Sequence, residues 1–359
     1  MSETVPPEVI VGVDTHKHLH VAVAIDALGA RLGAMTIPVR AEGYRDMVAW
    51  ARALGTIRAF GVEGTGSYGA GLSRFLREQG YDVFEVNRPD RQLRRRRGKS
   101  DPLDAEAAAR AVLGGQAAAL PKCGTGAVEM IRHLKAARDG ALKARSQAML
   151  TIKALVVGAP AALREQLERV AGKVTLVRHL AALRPGALTS TTASAKAGLR
   201  ALARRWLALG EEIEAHDVHL ERLTRQHAPE LVEAHGMAAG TAAEMLLLVG
   251  DNPERIRSEA AFAKMCGACP IPASSGKTSR HRLNRGGDRR ANSALHRVVV
   301  TRLRGHRPTL DHVRRRTAEG ESKAEIMRCL KRYVAREVFG YLCRRPTVSA
   351  PAQIAALPT

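Results

Sequence analysis

Three short segments in the N-terminal third restrict the fold of this chain more than any other feature. Residues 9–14 (VIVGVD), 20–26 (HVAVAID) and 31–39 (RLGAMTIPV) are rich in branched side chains, which favour β-strands. The polar connector THKHL joins the first two segments, and ALGA joins the last two. Connectors this short fit hairpins, so the sequence predicts an antiparallel meander.

Helices and strands alternate after the meander. The sequence predicts a helix over about 43–54, a strand that ends at Glu63, a helix that ends near Gln79 and a strand at DVFEVN. Hairpin strands followed by βαβ units are typical of a mixed sheet of the ribonuclease-H type, so the predicted class is α/β plus α. The predicted domains are the mixed-sheet domain at 1–122, a long coiled-coil helical arm at 123–228, a mostly helical C-terminal domain at 229–345 and a flexible tail at 346–359.

Four carboxylates fall where this layout brings chain segments together. Asp14 ends the first strand and Glu63 ends the fourth, so neighbouring strands would place both at one sheet edge. A helix then begins in GKSDPLDAEAAARAVL, with Ser100 or Asp101 as its cap. Asp101 and Asp104 are three positions apart and share one helical face. Four converging carboxylates need a cation, and hard oxygen ligands suit Mg²⁺ or Mn²⁺, a pair of which can activate phosphodiester chemistry.

Other acids compete with these four. Asp26 fits the end of a hairpin, Glu85 can point outward from its strand, and Glu106 faces away from the DxxD side of its helix. A strand-end Asp is also an ordinary turn residue, and Asp101 alone is an ordinary helix cap. Only the ordered combination, in a strongly basic chain, favours a metal centre.

Positive charge is concentrated in two parts of the chain. The formal net charge is +22, which indicates a polyanionic partner, with nucleic acid as the first interpretation and an anionic membrane surface as the second. The segment RPDRQLRRRRGK precedes Asp101, and a second cationic run extends from Lys277 to Arg290 and continues at Arg297 and Arg302. Beside a metal centre such segments would contact phosphates. The candidate nucleic-acid-binding residues are Arg94, Arg95, Arg96, Arg97, Lys99, Lys277, Arg280, Arg282, Arg285, Arg289 and Arg290.

The second cationic run follows the segment PIPASSG. Two prolines keep this segment extended or turned, and Gly276 permits a close backbone approach, so Ser275 is predicted to lie on a loop with an exposed hydroxyl. The neighbouring cations could stabilise charge at phosphorus during nucleophilic attack, and a serine nucleophile would form a covalent link to DNA. Ser274 and Ser279 are rival nucleophiles, and an ordinary loop serine is the alternative interpretation.

The middle of the chain is helix-forming, with breaks near Gly158–Pro160 and at RPGALTSTT. Apolar residues from Leu199 to Leu223 follow alternating steps of three and four, which indicates a coiled coil within one chain or between chains. Residues 235–251 resemble a helix-hairpin-helix element, whose turn amides can hold phosphate oxygens. Two further helices are predicted at DRRANSALHRVVVTRLR and SKAEIMRCLKRYVAREVFGYLCRR. The motif Cys266-x-x-Cys269 lacks partner ligands at zinc spacing, so we interpret both residues as packed thiols.

The segments GVDTHKHLHVAVAID, VEGTGSYG, KSDPLDAEAAARAV and PIPASSGKTSRHRLNRGGDRRAN, in this order, resemble the transposases of insertion-sequence family 110 over essentially the whole chain. The resemblance implies a domain of the Holliday-junction-resolvase (RuvC) type with a DEDD metal-binding tetrad at Asp14, Glu63, Asp101 and Asp104. It also implies a C-terminal transposase domain with a nucleophilic serine at Ser275. Members are site-specific recombinases guided by a bridge RNA, and they act on element ends and target DNA as multimers in which different subunits can form one composite centre.

Two alternatives to a recombinase stay open on the sequence alone. One is a junction-resolving endonuclease that uses water as the nucleophile, and the other is a non-catalytic protein that binds RNA or DNA. An apolar run of about 18 residues is absent, and the N-terminus lacks the basic and apolar regions of a signal peptide. We therefore expect a cytoplasmic, nucleoid-associated protein with no membrane partner. The seam from Leu199 to Leu223 and the resemblance predict a dimer or tetramer.

Overall fold

The computed structural model describes residues 6–86, 100–277 and 281–343. Within these ranges a mixed sheet with helices is followed by a mostly helical region, which confirms the predicted α/β plus α class. No helix of the described ranges is both long enough and apolar enough to cross a membrane.

The chain divides into two compact units. Unit 1 contains Met1–Val128 and Val249–Ala261, and unit 2 contains Glu129–Leu248 and Phe262–Thr359. Unit 1 holds the larger of the two described sheets, and unit 2 holds most of the described helices. The predicted boundaries near residues 122 and 228 stay predictions.

Unit 1 is built on a five-stranded sheet with the strand order β3-β2-β1-β4-β5. The first three strands form the predicted antiparallel meander, and β4 and β5 run parallel to β1. Every strand predicted in this region is present. The strands are β1 (Glu8–Thr15), β2 (Leu19–Asp26), β3 (Arg31–Pro38), β4 (Thr56–Glu63) and β5 (Val83–Val86).

Helices cover both faces of this sheet. On one face, α1 (Ala41–Leu54) and α2 (Ala70–Glu78) bury Met47 and Leu72 in a core with the valines of β1 and with Phe60. On the other face, α3 (Asp101–Leu113) packs Ala105 and Ala109 against Ile10, Val23 and Ile25. Since β1 is buried on both faces, its sequence is nearly continuous in apolar residues rather than alternating.

Two glycines let α3 lie directly on the strand backbones. Gly12 of β1 and Gly61 of β4 are register partners. A Cβ atom at Gly12 would overlap the carbonyl oxygen of Ala105, and one at Gly61 would crowd the carbonyl oxygen of Ala108. Any larger residue at either position would push α3 away from the sheet. The glycine pair therefore sets the distance between the sheet and the helix that carries the DxxD motif.

Unit 2 begins with a run of long and short helices. The predicted break near Gly158–Pro160 separates the first two of them, and the break at RPGALTSTT precedes the longest one. The seam from Leu199 to Leu223 faces the interior of unit 2, with Trp206 and Ile213 buried. Pairing of this seam as a coiled coil, and any dimer formed through it, stay predictions. The helices are α4 (Ala127–Val157), α5 (Ala161–Glu168), α6 (Lys173–Ala181), α7 (Thr191–His227), α8 (Pro229–Glu233) and α9 (Ala239–Val249).

The C-terminal part of unit 2 adds four helices and a small hairpin. Both helices predicted in this part are present, and the helix Arg307–Ala318 (α12) and the hairpin were not predicted. Of the helix-hairpin-helix element predicted over 235–251, the structure has one helix within that range, α9, preceded by a turn with Gly236 at a positive φ of 81°. The helix before this turn, α8, lies ahead of the predicted range. The elements are α10 (Glu259–Met265), β6 (Ile271–Pro272), β7 (His281–Arg282), α11 (Arg289–Arg302), α12 (Arg307–Ala318) and α13 (Lys323–Cys343).

Arg302 does not project into solvent as the sequence suggested. Its side chain is buried, donates two hydrogen bonds to the Glu337 carboxylate at 2.7 and 2.9 Å, and donates a third to the His235 carbonyl oxygen at 2.7 Å. The prediction was wrong because the face of α11 that carries Arg302 packs against α13, where a carboxylate neutralises the guanidinium.

Candidate metal centre and serine loop

The carboxyl edge of the sheet in unit 1 carries two of the predicted acids. β1 and β4 are parallel neighbours with Val13 opposite Val62, so Asp14 and Glu63 are the next residues on the two strands. The Asp14 side chain is buried, and that of Glu63 is half-buried. The Thr15 hydroxyl donates to the Glu63 carbonyl oxygen at 2.8 Å, which ties the two strand ends together.

The first turn of α3 carries the other two acids. Ser100 occupies the N-cap position without a capping hydrogen bond from its side chain, and Pro102 lies in the first turn. Asp101 is about half exposed, whereas Asp104 is buried at 6%. The predicted shared face therefore has an outer and an inner carboxylate. The glycine pair holds α3 against the sheet from Ala105 onward, directly after Asp104.

His16 lies between the two segments. Its Nε2 atom is 3.3 Å from Oδ2 of Asp14 and 3.4 Å from Oδ2 of Asp101. One ligand atom of each of these three residues lies within 4.8 Å of the others, a spacing that a single cation can bridge. Among the described residues this is the one group with such an arrangement, and Glu63 and Asp104 are not members of it.

The residues present fit a divalent cation. Two carboxylates offer the hard oxygen ligands that Mg²⁺ and Mn²⁺ prefer, and an imidazole nitrogen is a common additional ligand for transition metals. The structure thus brings Asp14 and Asp101 together from distant parts of the sequence and adds His16, which sequence reasoning missed. The signal was available, since side chains two positions apart on an extended segment point the same way, and His16 follows Asp14 by two.

A second histidine holds the backbone of His16. The His16 N–H donates to Nδ1 of His20 at 3.3 Å, and the His20 side chain is fully buried. Burial lowers the pKa of His20, so its ring stays neutral and can accept this bond. The turn between β1 and β2 therefore fixes the chain immediately after Asp14.

Competing acids have structural partners. Asp26 accepts backbone hydrogen bonds from Leu28 and Ala30 at 2.9 and 2.8 Å, which confirms its predicted role at a hairpin end. Glu106 accepts two hydrogen bonds from Arg110, at 2.9 and 2.7 Å, and lies 3.9 Å from Arg31. As predicted, it faces away from the DxxD side of α3.

Ser275 lies in unit 2, on the segment that connects β6 to β7. These two strands pair through Ile271–Arg282 and Pro272–His281, and Ser275 is the third residue after Pro272. Ser275 is exposed, as predicted, and so is Ser274. The third candidate nucleophile, Ser279, lies outside the described residues.

The base of this hairpin is pinned to the helices around it, and we refer to residues 268–286 as the serine loop. A Cβ atom at Gly287 would overlap the backbone of Gly267, so the two ends of the loop touch. Asn292 of α11 donates to the carbonyl oxygens of Cys266 and Gly267 at 2.8 and 3.1 Å, and Asn284 donates to that of Lys264 at 3.2 Å. The serine loop therefore leaves the helices and returns to them at a single fixed point.

The cysteines near this base are unlike each other. Cys266 is fully buried, and burial raises the pKa of its thiol to about 12, so the thiol stays protonated and packs as an apolar group. Cys269 is half-buried and donates weakly to the Pro270 carbonyl oxygen at 3.6 Å.

The candidate nucleic-acid-binding residues of the second cationic run lie at the surface of unit 2. Arg290 is 3.8 Å from Asp139, and its side chain is still 61% exposed. The remaining candidates, Arg94, Arg95, Arg96, Arg97, Lys99 and Arg280, lie outside the described residues. The exposed ones are Lys277, Arg282, Arg285, Arg289 and Arg290.

Comparison with known protein families finds two matches. Residues 11–159 match the DEDD transposase family of IS110 elements, and residues 228–314 match the family described as transposase IS116/IS110/IS902. The first match contains all four acids, and the second contains Ser275 with the cationic run that follows it. Together they cover about two thirds of the chain. A search of curated proteins finds no match.

Proposed function

Because the chain belongs to the IS110 family of transposases, and is therefore an enzyme that cuts and rejoins DNA, we propose that it works through a covalent serine–phosphate intermediate assisted by a divalent metal ion. The observation that carries this proposal is the convergence of Asp14, His16 and Asp101 at the sheet edge where Glu63 also ends. Carboxylates gathered in this way in a chain of net charge +22 suit phosphodiester chemistry better than a purely structural role.

In this proposal unit 1 is a ribonuclease-H-like domain of the RuvC type. The strand order β3-β2-β1-β4-β5, with a meander followed by two parallel strands, supports this assignment. Asp14 and Asp101, with His16 beside them, would hold Mg²⁺ or Mn²⁺, and the resemblance adds Glu63 and Asp104 to the same site. The bound ion would neutralise charge on the scissile phosphate. The protein contributes a rigid edge that orients these carboxylates before DNA arrives.

Ser275 is the proposed nucleophile. Its hydroxyl oxygen attacks the scissile phosphorus, so that a phosphorus–serine oxygen bond forms while one P–O bond of the DNA backbone breaks. The serine loses its proton, and the leaving DNA oxygen gains one. Attack by a DNA hydroxyl on the phosphoserine reverses the exchange and rejoins a strand without an external energy source. Lys277, Arg282 and Arg285 would stabilise the charge that builds up on the phosphate oxygens.

We further propose that a structured bridge RNA from the element's own ends guides the enzyme to its target. The separate cationic runs before Asp101 and after Ser275 support more than one nucleic-acid partner, since one duplex contact would not need both. In the resemblance described above, subunits combine a metal site and a serine in a multimer, so we propose a dimer or tetramer associated with the nucleoid. Recombination that requires the flanking non-coding RNA would support this, and recombination by RNA-free enzyme would contradict it.

A trapping experiment tests the covalent step. Full-length protein, Mg²⁺ and a labelled DNA that carries an element end are mixed, and the reaction is stopped under denaturing conditions. We expect a protein–DNA adduct that disappears in Ser275→Ala and persists in the matched control Ser274→Ala. An adduct that survives Ser275→Ala would transfer the role to another hydroxyl. Metal-dependent cleavage with free ends and no adduct would instead support the water-using endonuclease.

A further inference from the structure

A groove of about 660 Å³ lies in unit 2 between the serine loop and α13. Its volume is within the roughly 300–1,000 Å³ typical of binding pockets. One wall comes from the serine loop, with Pro270, His281 and Arg282, and the other comes from α13. The proposed mechanism does not use the α13 wall.

The groove has an excess of positive charge. Its lining contains five cationic side chains and two carboxylates, and both carboxylates are already engaged. Glu321 pairs with Arg316, and Glu325 accepts hydrogen bonds from Ser322. Glu325 also lies 3.7 Å from Arg328 and so offsets part of the charge of that one groove cation. The cations are Arg282, Arg328, Lys331, Arg332 and Arg336.

The cations of α13 repel one another. Burial, and then the nearby Arg328, lowers the pKa of Lys331, and burial with Arg336 lowers the pKa of Arg332. Lys331 is held in place by a hydrogen bond to Asn292 at 2.9 Å, the residue that pins the base of the serine loop. A row of like charges held together in this way is complementary to a polyanion, because phosphates relieve the repulsion.

An aromatic ring lies among these cations. Tyr333 lines the groove, and 48% of its surface is exposed. The His312 ring contacts Tyr333 in a T-shaped arrangement at 5.3 Å, and the Arg336 guanidinium lies 5.8 Å from the centre of the Tyr333 ring. A single exposed tyrosine is common on protein surfaces. An exposed aromatic ring beside cationic side chains is a platform on which an unpaired base can stack.

We propose that this groove binds an unpaired nucleotide of the DNA strand, with its base on Tyr333 and its flanking phosphates on Arg328, Arg336 and Arg282. An unpaired base is required because a stacked and paired base has no free face to offer the ring. Since Arg282 belongs to the serine loop, a strand held here is anchored beside the loop that carries Ser275. This inference rests on the proposed function for its substrate, and it adds where the strand is held.

A binding measurement tests the groove without strand cleavage. Full-length Ser275→Ala protein is titrated with a hairpin DNA that carries one fluorescent purine analogue as an unpaired base, and with the fully paired equivalent. We expect Tyr333→Leu to weaken binding of the unpaired DNA by about fivefold to a hundredfold and to remove the quenching of the analogue. Tyr333→Phe should restore both signals, because it keeps the ring.

A matched control separates stacking from total charge. Arg314→Gln removes one cation from α12, outside the groove lining, and should weaken paired and unpaired DNA equally and by much less. Arg336→Gln should weaken the unpaired DNA preferentially. Melting temperatures of all variants confirm that they fold, as expected for exposed positions.

Three results would overturn the groove assignment. First, Tyr333→Leu binds the unpaired DNA as tightly as its parent does. Second, the substitution weakens the binding of paired and unpaired DNA equally. Third, when an RNA hairpin of the same sequence is titrated in parallel, the substitution weakens only the binding of the RNA. Failure of the serine chemistry has a different signature, since it removes the adduct and leaves the effect of Tyr333 on binding unchanged.

Discussion

The two units hold their candidate sites by different means. In unit 1 the acids are placed by backbone contacts, because the register of β1 and β4 aligns Asp14 with Glu63 and the glycine pair seats α3 on the strands. In unit 2 the candidate site is positioned by contacts of side chains. Asn292 pins the base of the serine loop, and buried ion pairs such as Arg302–Glu337 fix the helices around it.

This difference matches what each site needs. A metal centre tolerates little error in ligand position, so a sheet edge with no freedom suits it. A nucleophile must reach a phosphate within a large substrate, and an exposed loop on a fixed base suits that task. Unit 1 should therefore be sensitive to added volume, whereas unit 2 should be sensitive to the loss of polar partners.

The largest expected effect is a loss of recombination activity, and metal binding then distinguishes the two candidate sites. We expect Asp14→Asn and Ser275→Ala each to reduce recombination about a thousandfold or more, because one weakens the proposed metal centre and the other removes the proposed nucleophile. Calorimetric titration with Mn²⁺ should show normal binding in Ser275→Ala and weakened binding in Asp14→Asn. Loss of metal binding in Ser275→Ala would mean that the two sites are not independent.

The next effect concerns a buried ion pair of unit 2. Lys135 contacts Glu244 at 2.7 Å and Asp139 at 2.7 Å, and both Lys135 and Glu244 are buried. Lys135→Met should lower the free energy of unfolding by about 3–5 kcal/mol, because it leaves a carboxylate buried without its cation. The exposed pair Arg225–Glu221 supplies the control, and Arg225→Met should cost less than about 1 kcal/mol in a denaturant titration.

A larger side chain between the sheet and α3 should destabilise unit 1. Gly12→Ala places a methyl group against the carbonyl oxygen of Ala105, and we expect it to lower the free energy of unfolding by about 2–3 kcal/mol. It should also weaken Mn²⁺ binding, because α3 carries Asp101. The control is Gly66→Ala, where a Cβ atom would meet nothing within 4 Å, so stability and metal binding should be unchanged. Equal effects at both glycines would contradict the close approach of α3.

A smaller effect tests the residue that sequence reasoning missed. His16→Ala should weaken Mn²⁺ binding by about tenfold and leave the melting temperature of the metal-free protein nearly unchanged. His18, an exposed neighbour in the same connector, provides the control through His18→Ala. If both variants bind Mn²⁺ like the parent protein, His16 is only a neighbour of the carboxylates.

The smallest effect is a dependence of stability on pH. Burial lowers the pKa of His20 in unit 1, and burial followed by Arg302 and His235 lowers that of His306 in unit 2. Below the ordinary value of about 6.5 the unfolded chain binds a proton that the folded chain resists, so stability should fall as pH decreases. The loss should be larger in unit 1, where His20 is fully buried, and hydrogen exchange at about pH 7.5 and pH 5.5 can resolve the two units.

Much of unit 1 could be predicted from the sequence because its determinants are local. Branched segments with short connectors specify hairpins, and acids at strand ends reach the same edge once neighbouring strands pair. His16 was not predicted as a metal ligand, because the connector THKHL was interpreted only as the link between two strands. The unequal burial of Asp101 and Asp104 depends on how closely α3 approaches Gly12, which is a tertiary property.

Several features of unit 2 could not be predicted, because they too depend on tertiary contacts or on very short elements. β6 and β7 have two residues each, which is too short for an alternating pattern to appear. Arg302 was expected at the surface because charge favours exposure, and its partner Glu337 lies 35 positions further along the chain. Contacts of that range cannot be inferred from local composition.

The touching glycines at the base of the serine loop have a consequence for protein engineering. Because Gly267 and Gly287 meet, a replacement insert of another length can be joined at these two positions without changing the gap that the chain must close. A chimera designed on the two glycines would therefore exchange the segment that carries Ser275 as one piece.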